Sequence, residues 1–240
     1  MTQTIEKTVR EIAAECPASV RVFEQLGIDY CCGGKKSLQE ACAAAQVPLD
    51  QAVGLLQEAE RGTPGPAPDS WLAAPLDALT AHIVQKHHAY VRQEIPRLQA
   101  LLHKVVSKHA AVHPELSGIQ QQFELLAQEL TPHMMKEEYV LFPYIEQLVE
   151  ARLSDGPLPG SCFGTVRRPI AAMAAEHDGA GDLLRELRRL SNHYAIPAGV
   201  CPTFAAVYRG LEEFEADLHQ HIHLENNILF PRAIELEQEA

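Results

Sequence analysis

Two copies of one histidine and glutamate pattern in this sequence point to metal chemistry. His133 and Glu137 stand in a stretch of the form H-x-x-x-E-x-x-x-L-F-P, and His221 and Glu225 stand in a second stretch of the same form. Residues four positions apart lie on the same face of a helix, so each copy presents an imidazole and a carboxylate together. Two such helices facing each other can hold a pair of metal ions. A single copy would be weak evidence, because the same spacing arises by chance on many solvated helices.

The remaining candidate ligands follow from extending this repeat. Apolar residues recur at matching positions before His133 and His221, which predicts two copied helix pairs in an antiparallel four-helix bundle. The third helix offers His177 as its central histidine. On the first helix the local hydrophobic stripe slightly favours His87, whereas alignment with the third helix favours its neighbour His88. We adopt His88 because the repeat supports it.

The predicted ligand set contains four imidazoles and two carboxylates: His88, His133, Glu137, His177, His221 and Glu225. Two carboxylates can bridge two cations while the imidazoles fill terminal positions, an environment that suits iron and manganese. Zinc or copper would bind the same donors more tightly, so the pattern indicates two metal ions more firmly than two irons. Six ligands leave coordination positions open for dioxygen, nitric oxide, peroxide or water, as in a reactive site.

Helical periodicity predicts an all-α chain whose four long helices position these side chains. The helices are expected at about 75–108, 114–153, 166–194 and 202–236. Short helical patterns, with a capping box that begins at Ser37, predict a small N-terminal domain over residues 1–61. A linker rich in proline and glycine follows at 62–69, and the bundle domain is expected to occupy 70–240.

Composition restricts the classes of protein to which the chain can belong. A net charge of -12 and a pI near 5.4 argue against nucleic acid as a partner, because phosphate recognition needs a basic face. No segment approaches the ~20 apolar residues of a membrane-spanning helix, and the first residues lack a signal-peptide core. Six cysteines in so long a chain are expected to be reduced thiols or ligands. We therefore expect a cytoplasmic protein that does not insert into membranes.

A second motif, Asp29-Tyr30-Cys31-Cys32-Gly33-Gly34, lies in the N-terminal domain. It places two adjacent thiols on a glycine-containing loop just before a predicted helix, beside two lysines. A helix N-terminus and nearby positive charge lower a thiol pKa, and the thiolate is the form that binds metals or attacks disulfides. Cys31 and Cys32 are therefore candidate iron-transfer or redox thiols. The alternative is that they are buried small hydrophobic residues.

The Cys-Cys-Gly-Gly loop and the two H-x-x-x-E-x-x-x-L-F-P stretches together resemble the repair of iron centres family, di-iron proteins with a hemerythrin-like domain. The resemblance covers essentially the whole chain and rests on both motifs. It implies a non-haem centre of two iron ions per chain, to which an oxo or hydroxo bridge can be added. Glu137 and Glu225 would bridge the irons, and the four histidines would be terminal ligands.

The resemblance also implies a function, which is the repair of iron-sulfur clusters damaged by nitric oxide or oxidants in the bacterial cytoplasm. Damaged iron-sulfur proteins would be the partners, and the protein would supply or mobilise iron. Two alternatives remain: an enzyme, namely a di-iron nitric oxide reductase, and a hemerythrin-like protein that binds or senses dioxygen or nitric oxide. The sequence leaves open whether the chain forms a homodimer and whether the cysteine loop reaches the metal site.

Overall fold

The structure, a computed structural model, describes residues 7–61 and 71–238. All the secondary-structure elements assigned within these ranges are helices, which confirms the predicted all-α class. One isolated β-bridge joins Thr8 and Ser37. The first four helices are short: α1 (Val9–Glu15), α2 (Ser19–Leu26), α3 (Leu38–Ala44) and α4 (Leu49–Arg61). The predicted linker at 62–69 lies outside the described residues, and the domain limits stay predictions.

Four long helices follow, close to the predicted ranges, and three of them contain a π-helical segment. Helix α5 consists of Leu76–His82, the π segment Ile83–His88, and Ala89–His109. Helix α6 consists of Glu115–Lys136, the π segment Glu137–Leu141, and Phe142–Leu153. Helix α7 is the regular α-helix Arg167–Leu190. Helix α8 consists of Pro202–Leu224, the π segment Glu225–Leu229, and Phe230–Gln238.

The chain divides into two compact units, each of which is described by itself below. The first unit contains Met1–Ala81, Ile145–Val166 and His219–Ala240, and the second unit contains His82–Tyr144 and Arg167–Leu218. In the described parts of both units, each helix is too short or too polar to cross a lipid bilayer.

Paired hydrogen bonds fix the starts of α1 and α3 in the first unit. The Ser37 side chain accepts a hydrogen bond from the backbone N–H of Glu40, while the Glu40 carboxylate accepts from the Ser37 backbone, which confirms the predicted capping box. Thr8 and Glu11 form the same arrangement at α1. Gly27 caps the C-terminal end of α2, and its φ of 65° is readily adopted by glycine. These helices enclose an apolar core that includes Val9, Ile12, Phe23, Tyr30, Leu38 and Leu56.

In the second unit, α5 and α7 pack against α6, and the N-terminal part of α8 completes the apolar core. The rings of Phe123 and Phe214 meet edge to face, with centroids 5.4 Å apart. One buried ion pair joins Arg188 of α7 to Glu215 of α8, whose side chain is 3% exposed. This packing produces a helical bundle that holds its ligand-bearing turns in fixed positions.

Candidate metal centre

Three of the four long helices change to π-helical geometry at candidate ligands. Glu137 and Glu225 are the first residues of the π segments in α6 and α8, and His88 is the last residue of the π segment in α5. A π turn adds one residue to an α-helix and occurs frequently at functional sites. The insertion widens the helix just before the proline of each L-F-P stretch, so each helix continues past the proline.

The second unit brings four predicted ligands together. One carboxylate oxygen of Glu137, Oε2, lies 3.4 Å from Nε2 of His88 and 3.4 Å from Nε2 of His133. The Nε2 atoms of His133 and His177 are 3.0 Å apart. One ligand atom from each of His133, Glu137 and His177 lies within 4.8 Å of the others. The four side chains are 0–3% exposed, so imidazoles surround a fully buried carboxylate.

The first unit holds the other two predicted ligands as a pair. Nε2 of His221 lies 3.0 Å from Oε1 of Glu225, one helical turn along α8, and the side chains are 1% and 0% exposed. This geometry repeats that of His133 and Glu137 on α6, as expected from the two matching stretches. The pair therefore presents one imidazole and one carboxylate in a dry environment.

Carboxylates behind two of the histidines orient the imidazole rings. Nδ1 of His88 is 2.6 Å from Oε1 of Glu138, and Nδ1 of His133 is 2.8 Å from Oε2 of Glu176. A carboxylate at Nδ1 favours the tautomer that carries its proton there, which leaves the Nε2 lone pair to face a metal. The sequence does not point to Glu138 in this role, because its partner His88 is 50 residues away in the chain.

Each of these carboxylates is also bound by a cationic side chain. Glu138 accepts a hydrogen bond from Arg92, and Glu176 accepts one from Lys136. Burial by itself raises the pKa of Glu176, but the hydrogen bonds from Lys136 and His133 outweigh it and hold that pKa below its usual range. The carboxylate behind His133 is therefore kept in its ionised form.

The neighbouring histidines of α5 have different partners. Nδ1 of His87 lies 3.0 Å from Oδ1 of Asp217, whereas His88 contacts Glu137 and Glu138. Both imidazoles are buried, because the π segment turns two consecutive side chains inward. The structure therefore places His88 beside the other candidate ligands of the second unit and gives His87 a carboxylate partner of its own.

The donor atoms in each of the two units are suited to binding a transition-metal ion. An ionised carboxylate is costly to bury unless positive charge offsets it. Glu137 is fully buried beside two imidazoles, and Glu225 is fully buried beside that of His221. A cation bound by these groups would supply that charge, and nitrogen with carboxylate oxygen is a donor set used for iron. The buried histidine and glutamate cluster is thus compatible with a metal site.

The cysteine loop differs from the expectation in one respect. Burial and the contact with Cys32 raise the pKa of the Cys31 thiol well above its usual range, so the predicted lowering was wrong for Cys31. The hydrogen-bond contact with the Cys32 sulfur is the largest cause, followed by burial, and the charge of Asp29 acts in the same direction.

Comparison with known proteins finds two family matches in this chain. Residues 79–233 match the model of the hemerythrin HHE cation binding domain, and residues 5–60 match ScdA_N, a domain of unknown function. The first match covers more than half of the chain and includes all six candidate ligands. The second includes the Cys-Cys-Gly-Gly loop.

Curated relatives match nearly the whole chain. The iron-sulfur cluster repair protein YtfE of Edwardsiella ictaluri is 40% identical over 229 residues, which cover 95% of this chain and 97% of the relative. The proteins of the same name from Musicola paradisiaca and Pectobacterium atrosepticum are 38% and 35% identical, with 95% of this chain covered and 96% and 97% of the relatives. The chain therefore belongs to the repair of iron centres family, in which a short N-terminal domain precedes a hemerythrin-like helical bundle.

Proposed function

We propose that this protein restores iron-sulfur clusters damaged by nitrosative or oxidative stress, by supplying or mobilising iron. The observation that carries the proposal is the buried histidine and glutamate cluster in a hemerythrin-type bundle. The name of the relatives, which match 95% of the chain, supports repair as the use of that cluster. The partners would be damaged iron-sulfur proteins in the cytoplasm, and nitric oxide or dioxygen would be small ligands. We further propose that the chain forms a homodimer.

In this proposal all six candidate ligands belong to one centre that holds two iron ions. The support is the internal repeat, in which the two H-x-x-x-E stretches occupy equivalent positions on α6 and α8. Glu137 and Glu225 would be the bridging carboxylates. His88, His133, His177 and His221 would be the terminal ligands. Both carboxylates and all four imidazoles are buried, as a site that excludes bulk water requires.

The side chains have distinct tasks in such a centre. The bound irons would supply open coordination positions and one-electron redox chemistry. Glu138 and Glu176 hold the protons on Nδ1 of His88 and His133, so these rings present a fixed lone pair. The buried apolar side chains of Leu141 and Phe142 keep water from the turn that carries Glu137. Six donors for two ions leave a centre from which iron can leave, as repair demands.

The experiment is the reactivation of an iron-sulfur dehydratase whose cluster has been damaged by nitric oxide. Iron-loaded wild-type protein is expected to restore dehydratase activity, and Mössbauer spectra of protein purified without oxygen are expected to show two coupled irons per chain. Glu137→Gln removes a charged ligand while keeping the side-chain shape. It is expected to lose both the paired-iron signal and the reactivation.

Glu215→Gln is the matched control, because Glu215 is an equally buried carboxylate of the bundle that pairs with Arg188 and lies outside the ligand set. It is expected to lose some stability but to keep its iron and its repair activity. If Glu137→Gln reactivates the dehydratase as well as the wild type does, the bundle is not the source of iron and the proposal is wrong.

A further inference from the structure

A second group of metal-binding side chains lies in the N-terminal part of the first unit. Asp29, Cys31 and Cys32 each offer one ligand atom within 4.8 Å of the other two. The two sulfurs are 3.8 Å apart, and Sγ of Cys31 is 3.4 Å from Oδ1 of Asp29. The cluster combines two soft sulfur donors with one carboxylate and lacks the imidazoles of the bundle.

These distances agree with tetrahedral coordination of one ion. Metal-sulfur bonds of about 2.3 Å and metal-oxygen bonds of about 2.0 Å place two sulfurs about 3.8 Å apart and a sulfur and an oxygen about 3.5 Å apart in a tetrahedron. A disulfide would require the sulfurs to be about 2.05 Å apart. The spacing in the protein therefore fits two sulfur ligands of a shared ion.

Backbone hydrogen bonds hold this cluster in position. Oδ1 of Asp29 accepts hydrogen bonds from the backbone N–H groups of Cys31 at 3.2 Å and Cys32 at 2.9 Å. A Cβ on Gly33 would lie 3.1 Å from Oδ2 of Asp29, and a Cβ on Gly34 would lie 2.7 Å from the carbonyl oxygen of Tyr30. The two glycines are thus needed for close packing around the carboxylate and the loop.

The cluster has a buried side and an open side. Cys31 is 4% exposed, Cys32 is half-buried and Asp29 is exposed. An ion can therefore reach Asp29 and Cys32 from solvent while Cys31 anchors it from within. Partial exposure suits a site that exchanges its ion, whereas structural metal sites are closed by four protein ligands.

The loop contacts the C-terminal part of α8, which carries two of the candidate iron ligands; the loop and this part of α8 both lie in the first unit. The carbonyl oxygen of Tyr30 accepts a hydrogen bond from Nδ2 of Asn227 at 3.0 Å, and the Tyr30 ring packs edge-on against His223 with centroids 5.5 Å apart. His219 contacts the same ring and pairs with Glu24 at 2.9 Å. His221 and Glu225 lie between these contacting residues in sequence on α8.

We propose that Asp29, Cys31 and Cys32 form a second metal site, which binds one thiophilic divalent cation through two sulfurs and one carboxylate oxygen. Each thiol that coordinates the ion releases its proton to solvent. The ion carried in the cell is Fe²⁺, and this assignment alone rests on the proposed function. The site would then hold iron in transit on the same structural unit as His221 and Glu225.

The test uses the full-length, iron-loaded protein, reduced and free of oxygen, titrated with Co²⁺. Sulfur ligands give a thiolate-to-cobalt charge-transfer absorption that imidazoles and carboxylates do not produce. One equivalent of Co²⁺ per chain is expected to saturate this absorption, and Cys32→Ser is expected to abolish it. Cys201→Ser is the control, because Cys201 lies in the second unit, where its Sγ atom is 3.3 Å from Nε2 of His109, and it does not belong to the proposed cluster.

Asp29→Asn separates loss of a ligand from loss of the fold. The amide oxygen can still accept both backbone hydrogen bonds, while the charge of the carboxylate is removed. Changes outside the ligand sphere already cost about 10–100-fold in metal affinity, so we expect at least about tenfold weaker Co²⁺ binding. Absence of the absorption in the wild type, its survival in Cys32→Ser, or its loss only in Cys201→Ser would overturn the proposal. A cobalt-binding wild type that fails to reactivate the dehydratase would leave this site standing and remove its assignment to Fe²⁺.

Discussion

Removal of Glu138 tests whether the carboxylate behind His88 strengthens the metal centre. Its Oε1 atom lies 2.6 Å from Nδ1 of His88, and its side chain is 15% exposed. Glu176 holds His133 at 2.8 Å but is 38% exposed, so water can replace it more easily. Loss of such a partner costs about 10–100-fold in metal affinity, or about 1.4–2.7 kcal/mol. We expect the loss of metal affinity in Glu138→Ala to be near the upper limit of this range and the loss in Glu176→Ala to be near the lower limit.

The assay is competition between the protein and a chelator of known affinity, followed by the absorption of the iron-loaded centre. Glu138→Gln keeps an acceptor oxygen for Nδ1 and removes only the charge, so its affinity is expected to lie between those of the wild type and Glu138→Ala. Glu186→Gln removes an equivalent charge from a surface pair with Arg189 and is expected to change nothing. Equal affinities of wild type and Glu138→Ala would refute the role assigned to this carboxylate.

Four further predictions follow from the packing and the charges. Gly34→Ala is expected to destabilise the cysteine loop, because the added Cβ would lie 2.7 Å from a backbone carbonyl oxygen of the same loop, and hydrogen exchange there would become faster. Arg188→Ala leaves the carboxylate of Glu215, which is 3% exposed, without its cation. We expect the free energy of unfolding, measured in urea, to fall by about 3 kcal/mol, the lower end of the range for buried pairs, because Arg188 is 30% exposed. Hydrogen bonds from Thr8 hold the pKa of Glu11 below its ordinary value of 4.5, so this stabilisation is present above pH 4.5 and is lost as the pH falls through the lower, folded-state pKa. Glu11→Gln should therefore flatten the acid limb of unfolding curves, and an unchanged limb would contradict this. Removal of metal with a chelator is expected to lower the midpoint of thermal unfolding, measured by calorimetry, because ligands that bind only the folded state stabilise it.

The long helices could be predicted from the sequence because their apolar faces repeat regularly. The π segments could not be predicted, and they explain why two lines of sequence reasoning selected different histidines on α5. An inserted residue shifts the face of a helix by about 100°. At the start of the π segment, a buried residue of α5 corresponds to one of α7 at an offset that is one residue larger than the offset after the segment. Ile83, the first residue of the segment, corresponds to Met173, and Leu98, after the segment, corresponds to Leu187. The upstream pattern therefore selects His87 and the downstream pattern selects His88.

The setting of the cysteines was harder to predict, because it depends on burial and on contacts made by the folded loop. The sequence shows a helix start and two lysines near Cys31, and both would lower its pKa. It does not show that the thiol is 4% exposed beside Cys32 and Asp29, and these neighbours reverse the direction. The sequence also does not show why Gly34 is required, which is that a neighbouring carbonyl oxygen leaves no space for a side chain.

The outer carboxylates connect the buried imidazoles to the surrounding electrolyte. Glu138 and Glu176 each bind a buried histidine on one side and, on the other, the side chain of Arg92 or Lys136, both 47% exposed. Dissolved salt screens interactions of exposed charges far more than those of buried ones. Raising the ionic strength therefore weakens the contacts with Arg92 and Lys136 more than the contacts with the two histidines. Each carboxylate then becomes a stronger hydrogen-bond acceptor for its imidazole N–H. The metal affinity of ligands that never touch solvent thus becomes sensitive to the salt content of the cell.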